Sequence, residues 1–164
     1  MDPERRRQLV ARYKEGPAAV DAAVAGLTDE DVDRTPGEGE WSARQVIHHL
    51  ADTEMIAAVR LGMLVAQDSP TIQGYDEMEL ARGLGYESRP VGPSLAAFRG
   101  ATESTATILD RLTEEDWRRT GQHTERGPYS VETWLEVHAS HAQDHAKQIE
   151  QAVQSGEAEG KAGG

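Results

Sequence analysis

Apolar residues recur at helical spacing in four long stretches, separated by polar runs rich in Gly, Pro and acidic residues. Positions three and four apart share one face of an α-helix, so each stripe predicts an amphipathic helix with one side turned to a core. The first stretch starts near Asp2-Pro3, an N-cap followed by proline at the first helical position, and runs toward Leu27. Gly16-Pro17 should kink or break it midway. The second opens at Ser42, directly after Trp41, and continues to about Gln67, with Val46, Leu50, Thr53, Ala57, Leu61 and Leu64 inward. The third runs from about Pro93 to Leu112. The fourth runs from Ser130 to near Gln154, with Val131, Trp134, Leu135, His138, Ala142, His145, Ile149 and Ala152 on its inward stripe.

The intervening segments read differently. Thr28 to Asp31 and Thr113 to Arg118 carry the capping pattern of short helices. Thr35 to Gly39 is a loop, and Asp68 to Gly92 a long connection with one short helix around Tyr75 to Arg82. A polar loop follows Arg118 through Pro128, and the Gly- and Glu-rich end should be disordered. The expected organisation is therefore all-α, a four-helix bundle over residues 1–154 with a disordered tail over 155–164. One internal echo stands out. Leu27-Thr-Asp-Glu-Asp-Val-Asp-Arg-Thr35 resembles Leu112-Thr-Glu-Glu-Asp-Trp-Arg-Arg-Thr120, and each precedes an aromatic-Ser pair and a His-bearing helix. Two related helical hairpins, pseudo-symmetric about the bundle axis, would explain it.

Composition narrows the chemistry. A formal net charge of −12 repels phosphate backbones and anionic lipid surfaces, so neither nucleic acid nor membrane is expected as a partner. Arg5, Arg6 and Arg7 are too few to make a binding patch. With no cysteine, the chain has no disulfide, thiolate ligand or cysteine nucleophile, and any metal must be held by nitrogen and oxygen. The opening residues lack the apolar segment of a signal peptide, and no run approaches the roughly 18 apolar residues of a spanning helix, so a cytoplasmic location is expected.

Five of the six histidines fall in two helices, His48 and His49 in the second, His138, His141 and His145 in the fourth. Clustered imidazoles in a dry interior do not all tolerate protons, whereas a bound cation takes neutral ring nitrogens as ligands. His138 and His145, seven apart, lie about 10.5 Å apart along a helix axis and suit one ion poorly. The fourth helix thus offers His138 with His141 or His141 with His145, the i,i+4 pair being the better-attested metal spacing. His49 lies on the inward stripe and is the expected third ligand, with His48 turned about 100° away. Trp134 reads as core, and His48 and His123 as ordinary polar residues.

Two motifs carry a resemblance. Trp41-Ser-Ala-Arg-Gln-Val-Ile-His-His-Leu-Ala-Asp-Thr-Glu54 resembles the W-S-x-x-x-hydrophobic-x-x-H-hydrophobic-x-D pattern of the DinB-like family, including its YfiT-type members. His141-Ala-Gln-Asp-His-Ala-Lys-Gln-Ile149 resembles that family's H-x-x-x-H-x-x-Q-I signature. The resemblance implies an up-down-down-up four-helix bundle, a homodimer, and zinc, nickel or a similar divalent ion on His49, His141 and His145. It implies an enzyme acting on a small molecule. Some relatives are transferases or isomerases using a low-molecular-weight thiol such as bacillithiol or mycothiol, and others hydrolases. Asp52, one turn after His49, is the expected catalytic base or ring-orienting carboxylate. Gln148 and His138 are expected to support the ligand rings or line the pocket. The alternative is a non-catalytic, stress-associated helical-bundle binding protein whose metal is structural or absent.

Overall fold

The computed structural model of the chain describes residues 1–162, with side chains through Ser155. The first apolar stretch forms two helices, α1 (Pro3–Lys14) and α2 (Gly16–Val24), broken at Gly16-Pro17 as proline's missing N–H requires. Asp2 caps α1 by accepting from the Arg5 amide at 3.0 Å. The two echoed segments form matching single-turn helices, α3 (Asp29–Val32) and α7 (Glu114–Trp117), each closed by a reciprocal capping box, Thr28 with Asp31 and Thr113 with Asp116. Each buries one residue at the same place, Val32 and Trp117. The echo thus has a local meaning: a capped turn that aims the chain into the next long helix.

Helix α4 (Ala43–Ala66) is capped by Ser42 with Gln45 and carries the second stripe. The long connection then contributes β1 (Thr71–Ile72) and α5 (Glu77–Gly83) before α6 (Val91–Leu109). After α7 the chain forms a hairpin, β2 (Thr120–His123) and β3 (Gly127–Ser130), where sequence periodicity indicated only a polar loop. Strand β1 pairs parallel to β2, and β2 antiparallel to β3. These strands are too short for alternation to announce them; pairing between segments fifty residues apart creates them. Gly121 permits the approach, since a Cβ there would stand 2.5 Å from the Pro70 carbonyl oxygen.

The fourth stretch is two helices, not the single one expected: α8 (Val131–His138) and α9 (His141–Ala162), divided at Ala139-Ser140. No Gly or Pro marks this division. It lies against the α1–α2 break. A Cβ on Gly16 would come within 2.8 Å of the Ala142 side chain, and Gln143 Nε2 donates to the Arg12 carbonyl at 2.6 Å. Gln143 thereby satisfies a carbonyl near the end of α1. The backbone of α9 stays helical to Ala162, past the end expected near Gln154. Of the tail expected to be disordered, side chains beyond Ser155 and all of residues 163–164 lie outside the described residues.

The main helices form a four-helix bundle with up-down-down-up topology. Near their N-termini α4 and α6 meet through His48 and Ser94, and near their C-termini Leu61, Leu64 and Leu109 share one apolar cluster, so the two run parallel. Two parallel helices need a connection that returns along the bundle, which is the work of residues 67–90. Helices α1 and α2 run against α6, as the pairs Arg6–Glu114 and Asp21–Arg99 show. Helices α8 and α9 run against α4, with Trp134 donating to the Ala57 carbonyl at 2.8 Å and Ile149 packed with Val46.

The core is divided in two. One cluster joins α1, the C-terminal half of α4 and α8 around Trp134; the other joins α2, the N-terminal half of α4 and α9 around Leu50 and Ile149. Truncating a side chain such as Trp134 removes about 3–5 kcal/mol, so each cluster can hold its end of the bundle. Polar side chains gather along α4 and the α8–α9 break where the two clusters meet, and the histidines lie there.

Candidate metal centre

His49 projects from the second turn of α4, and His141 and His145 from successive turns at the start of α9. One ring nitrogen from each lies within 4.8 Å of the other two. The Nε2 atoms of His141 and His145 face one another at 3.2 Å. Two nitrogens on one tetrahedral ion, each bonded at about 2.0–2.1 Å, stand roughly 3.3–3.4 Å apart, so this pair already has the spacing of a shared ion. The donor set is three imidazoles with no thiolate, which suits zinc or another borderline divalent metal.

The surroundings keep these rings neutral, the form that binds metal. Burial, reinforced by charge on His145, pulls His49 down to about 4. Burial and the neighbouring rings depress His141 to about 2. Burial lowers His145 as well, against the opposing pull of Gln148. Gln148 Oε1 accepts from His145 Nδ1 at 2.8 Å, which puts the proton on Nδ1 and frees Nε2. Trp41 packs on the His49 ring with centroids 5.1 Å apart. Tyr75 donates to Thr53 Oγ1 at 3.1 Å, one turn beyond His49. Replacing Gln148 with alanine is expected to weaken metal affinity about 10–100-fold while leaving the thermal melt of metal-free protein nearly unchanged; competition against a chromogenic chelator measures it.

A cavity of about 250 Å³ opens over the centre. His49, His141 and His138 line its bundle side, and Arg60 on α4 with residues of the crossover and the β2–β3 hairpin line the other: Tyr75, Glu77, His123, Glu125 and Arg126. Apart from the histidines, sequence periodicity singled out none of these for chemistry. The hairpin and crossover lie far apart in sequence, and only their pairing into one sheet makes a wall.

Other residues named from the sequence fall in varied places. Asp52 is committed elsewhere: its Oδ2 accepts from Arg89 Nη1 at 2.9 Å, and its carboxylate neighbours Tyr86. It does not line the cavity. One turn along α4 from His49 brings it toward the crossover, where an arginine claims it. His48 is fully buried and bonded on both sides, to Ser94 Oγ at 2.8 Å and the Arg89 carbonyl at 3.0 Å, so it ties α4 to α6 and the crossover. His123, read from the sequence as an ordinary polar residue, is buried in the cavity wall with its ring 5.4 Å from that of Tyr129. His138 is 5% exposed, stacks on Trp134 at 4.9 Å, and has no partner for either ring nitrogen. Leaving such groups unsatisfied costs about 1–3 kcal/mol each.

The comparisons with known proteins agree with this arrangement. The model of the DinB superfamily matches residues 12–149, across both motifs and all three histidines. The chain belongs to the DinB superfamily. Within it, a Geobacillus thermodenitrificans protein named "Putative metal-dependent hydrolase" is 38% identical over 69% of this chain and 64% of its own length, a little under two thirds. A second protein of that name, from Oceanobacillus iheyensis, is 33% identical over 81% of this chain and 77% of its own. The solved structure of YfiT from Bacillus subtilis, described as a four-helix bundle of unusual topology, superposes with a TM-score of 0.84 at 25% identity. It covers 98% of this chain and 90% of that one.

Proposed function

We propose that this chain is a metal-dependent enzyme acting on a small molecule, with one divalent ion, zinc or nickel, held by His49, His141 and His145. The observation that carries the reading is the convergence of three ring nitrogens, from two antiparallel helices, within 4.8 Å of one another, with His49 and His141 lining an open cavity. When bound, the ion supplies a Lewis acid able to lower the pKa of a water or hold a thiol as thiolate.

The protein's own groups do the rest. Gln148 orients His145, Trp41 packs on the His49 ring, and His49 and His141 turn the centre toward the cavity. Glu77 lines the cavity close enough to raise the proton affinity of His145, and it takes the proton-accepting role that Asp52 is too engaged to fill. Hydrolysis is the preferred reaction, since the relatives bear that name and a carboxylate stands beside the centre. Transfer to a low-molecular-weight thiol is the second reading, supported by a cavity with room for an organic cosubstrate and by a chain that brings no thiol of its own.

The substrate is not a nucleic acid, given the net charge of −12. Among the described residues no helix is long and apolar enough to cross a membrane. A homodimer belongs to the same reading. Met55 and Val59 leave an exposed apolar strip on α4 beside Ile56 and Met63, and sedimentation velocity decides it.

Zinc- and nickel-loaded protein assayed on ester, amide and phosphoester panels, and on electrophiles with added thiols, tests the reaction. Chelator-sensitive turnover without thiol supports hydrolysis, and turnover only with thiol supports transfer. Absence of both in metal-replete protein favours a non-catalytic binding protein.

A further inference from the structure

Beside the three-histidine centre, on the same cavity, lies a second group of side chains with no task in the reading above. His138 is the most conspicuous. Its ring is 5% exposed, lines the cavity, and stands 6.0 Å from His141, outside the converging triad. A neutral imidazole carries one donor and one acceptor, and both nitrogens of His138 are idle. Buried polar groups ordinarily have partners, so this ring faces a place that something polar fills.

Two guanidiniums reach the same cavity. Arg60 comes from α4 and is held in position by the Tyr75 ring, 5.2 Å below it, and by the Gln73 carbonyl. Arg126 comes from the tip of the β2–β3 hairpin. Among the described residues neither makes an ion pair, although Glu77 and Glu125 line the same cavity and acidic residues outnumber basic ones 29 to 17 along the chain. In so acidic a protein an arginine finds a carboxylate easily; Arg6, Arg44, Arg89 and Arg99 all do. The fields of Arg60 and Arg126 also converge on one wall, since both act on His138, His123 and Tyr129.

We propose that Arg60, Arg126 and His138 form an anion-binding subsite, so that the small molecule taken here carries a carboxylate or similar oxyanion beside the group presented to the three histidines. A guanidinium offers a planar fork of donors matched to such an anion, and the His138 N–H supplies a further, buried donor. The proposal deepens the metalloenzyme reading by naming a substrate class, and it relies on that reading only for the group that sits at the metal.

The test uses 3-mercaptopropionate and its neutral amide, 3-mercaptopropionamide, titrated into both zinc-loaded and metal-free protein labelled with ¹⁵N-histidine. The acid should bind about tenfold or more tightly than the amide and shift the His138 ring signals in both forms. Arg126→Gln, at an exposed turn, should lose most of the discrimination, and Arg60→Gln with Arg126→Gln should abolish it. Equal affinity of acid and amide overturns the proposal. So does acid binding that leaves His138 unmoved, discrimination that survives in the double variant, or no acid binding to either form at tens of millimolar. Failure of the protein to take up zinc counts against the metal reading alone, because the metal-free titration still decides the subsite.

Discussion

His145→Ala should reduce metal content from near stoichiometric to trace without unfolding the bundle. The ring is half-buried at the start of α9, and its removal leaves two nitrogens where a zinc site requires at least three protein ligands. The wild-type chain should also gain stability from zinc, about 2.7 kcal/mol when free metal is a hundred times the dissociation constant, whereas the variant should gain little. Elemental analysis of untagged protein and paired thermal melts with and without zinc read both effects. His48→Gln is the informative contrast, because it removes the adjacent ring on the same helix. It should lower stability by about 1–3 kcal/mol through the lost bonds to Ser94 and the Arg89 carbonyl, yet retain the metal. Equal metal in wild type and His145→Ala, or loss of metal in His48→Gln at full folding, would place the site elsewhere.

Acid should unfold the metal-free protein over a narrow range. His49, His138 and His141 are pulled by burial from 6.5 to about 4, about 3 and about 2 respectively. As pH falls below about 6.5 the unfolded chain takes up protons that these folded rings refuse, so stability drops until each folded pKa is passed. The slope is about 1.4 kcal/mol per pH unit for each ring. Glu54 acts the other way. Burial raises its carboxyl to about 7, so between about 7 and 4.5 the folded state takes the proton first and gains stability as pH falls. Three rings against one carboxyl leave a net loss of about 3 kcal/mol per unit until the unfolded carboxyl also protonates, then about 4 until the folded His49 ring takes its proton near pH 4. Against a total of about 5–15 kcal/mol, unfolding is expected between about pH 5 and 3. Urea melts of metal-free protein from pH 7.5 downward measure the slope, and His138→Gln should reduce it by about 1.4 kcal/mol per unit. An unchanged slope in that variant would mean the ring is not buried neutral.

The helices and their starts were legible because their causes are local. Asp2, Thr28, Ser42 and Thr113 each cap a helix that begins where the side chain predicts, and Gly16-Pro17 breaks the first stretch as it must. The choice of His49 over His48 was legible too. A helix separates consecutive residues by about 100°, and the structure turns one ring to α9 and the other to Ser94 on α6. The partner of Asp52 was not legible, because helical spacing places a carboxylate near a ring but says nothing of Arg89, 37 residues away in the crossover.

What the sequence by itself determined is the set of amphipathic helices, their caps, and the three imidazoles on two inward faces, since helical periodicity acts within a few residues. Tertiary structure alone decided the break between His138 and His141, the sheet joining the crossover to the hairpin, and the cavity wall bearing Arg60, Glu77, His123 and Arg126. Those depend on contacts such as Gly16 with Ala142 and Thr71 with Gln122, between segments with no shared local pattern, whose free energy exists only once the bundle has brought them together.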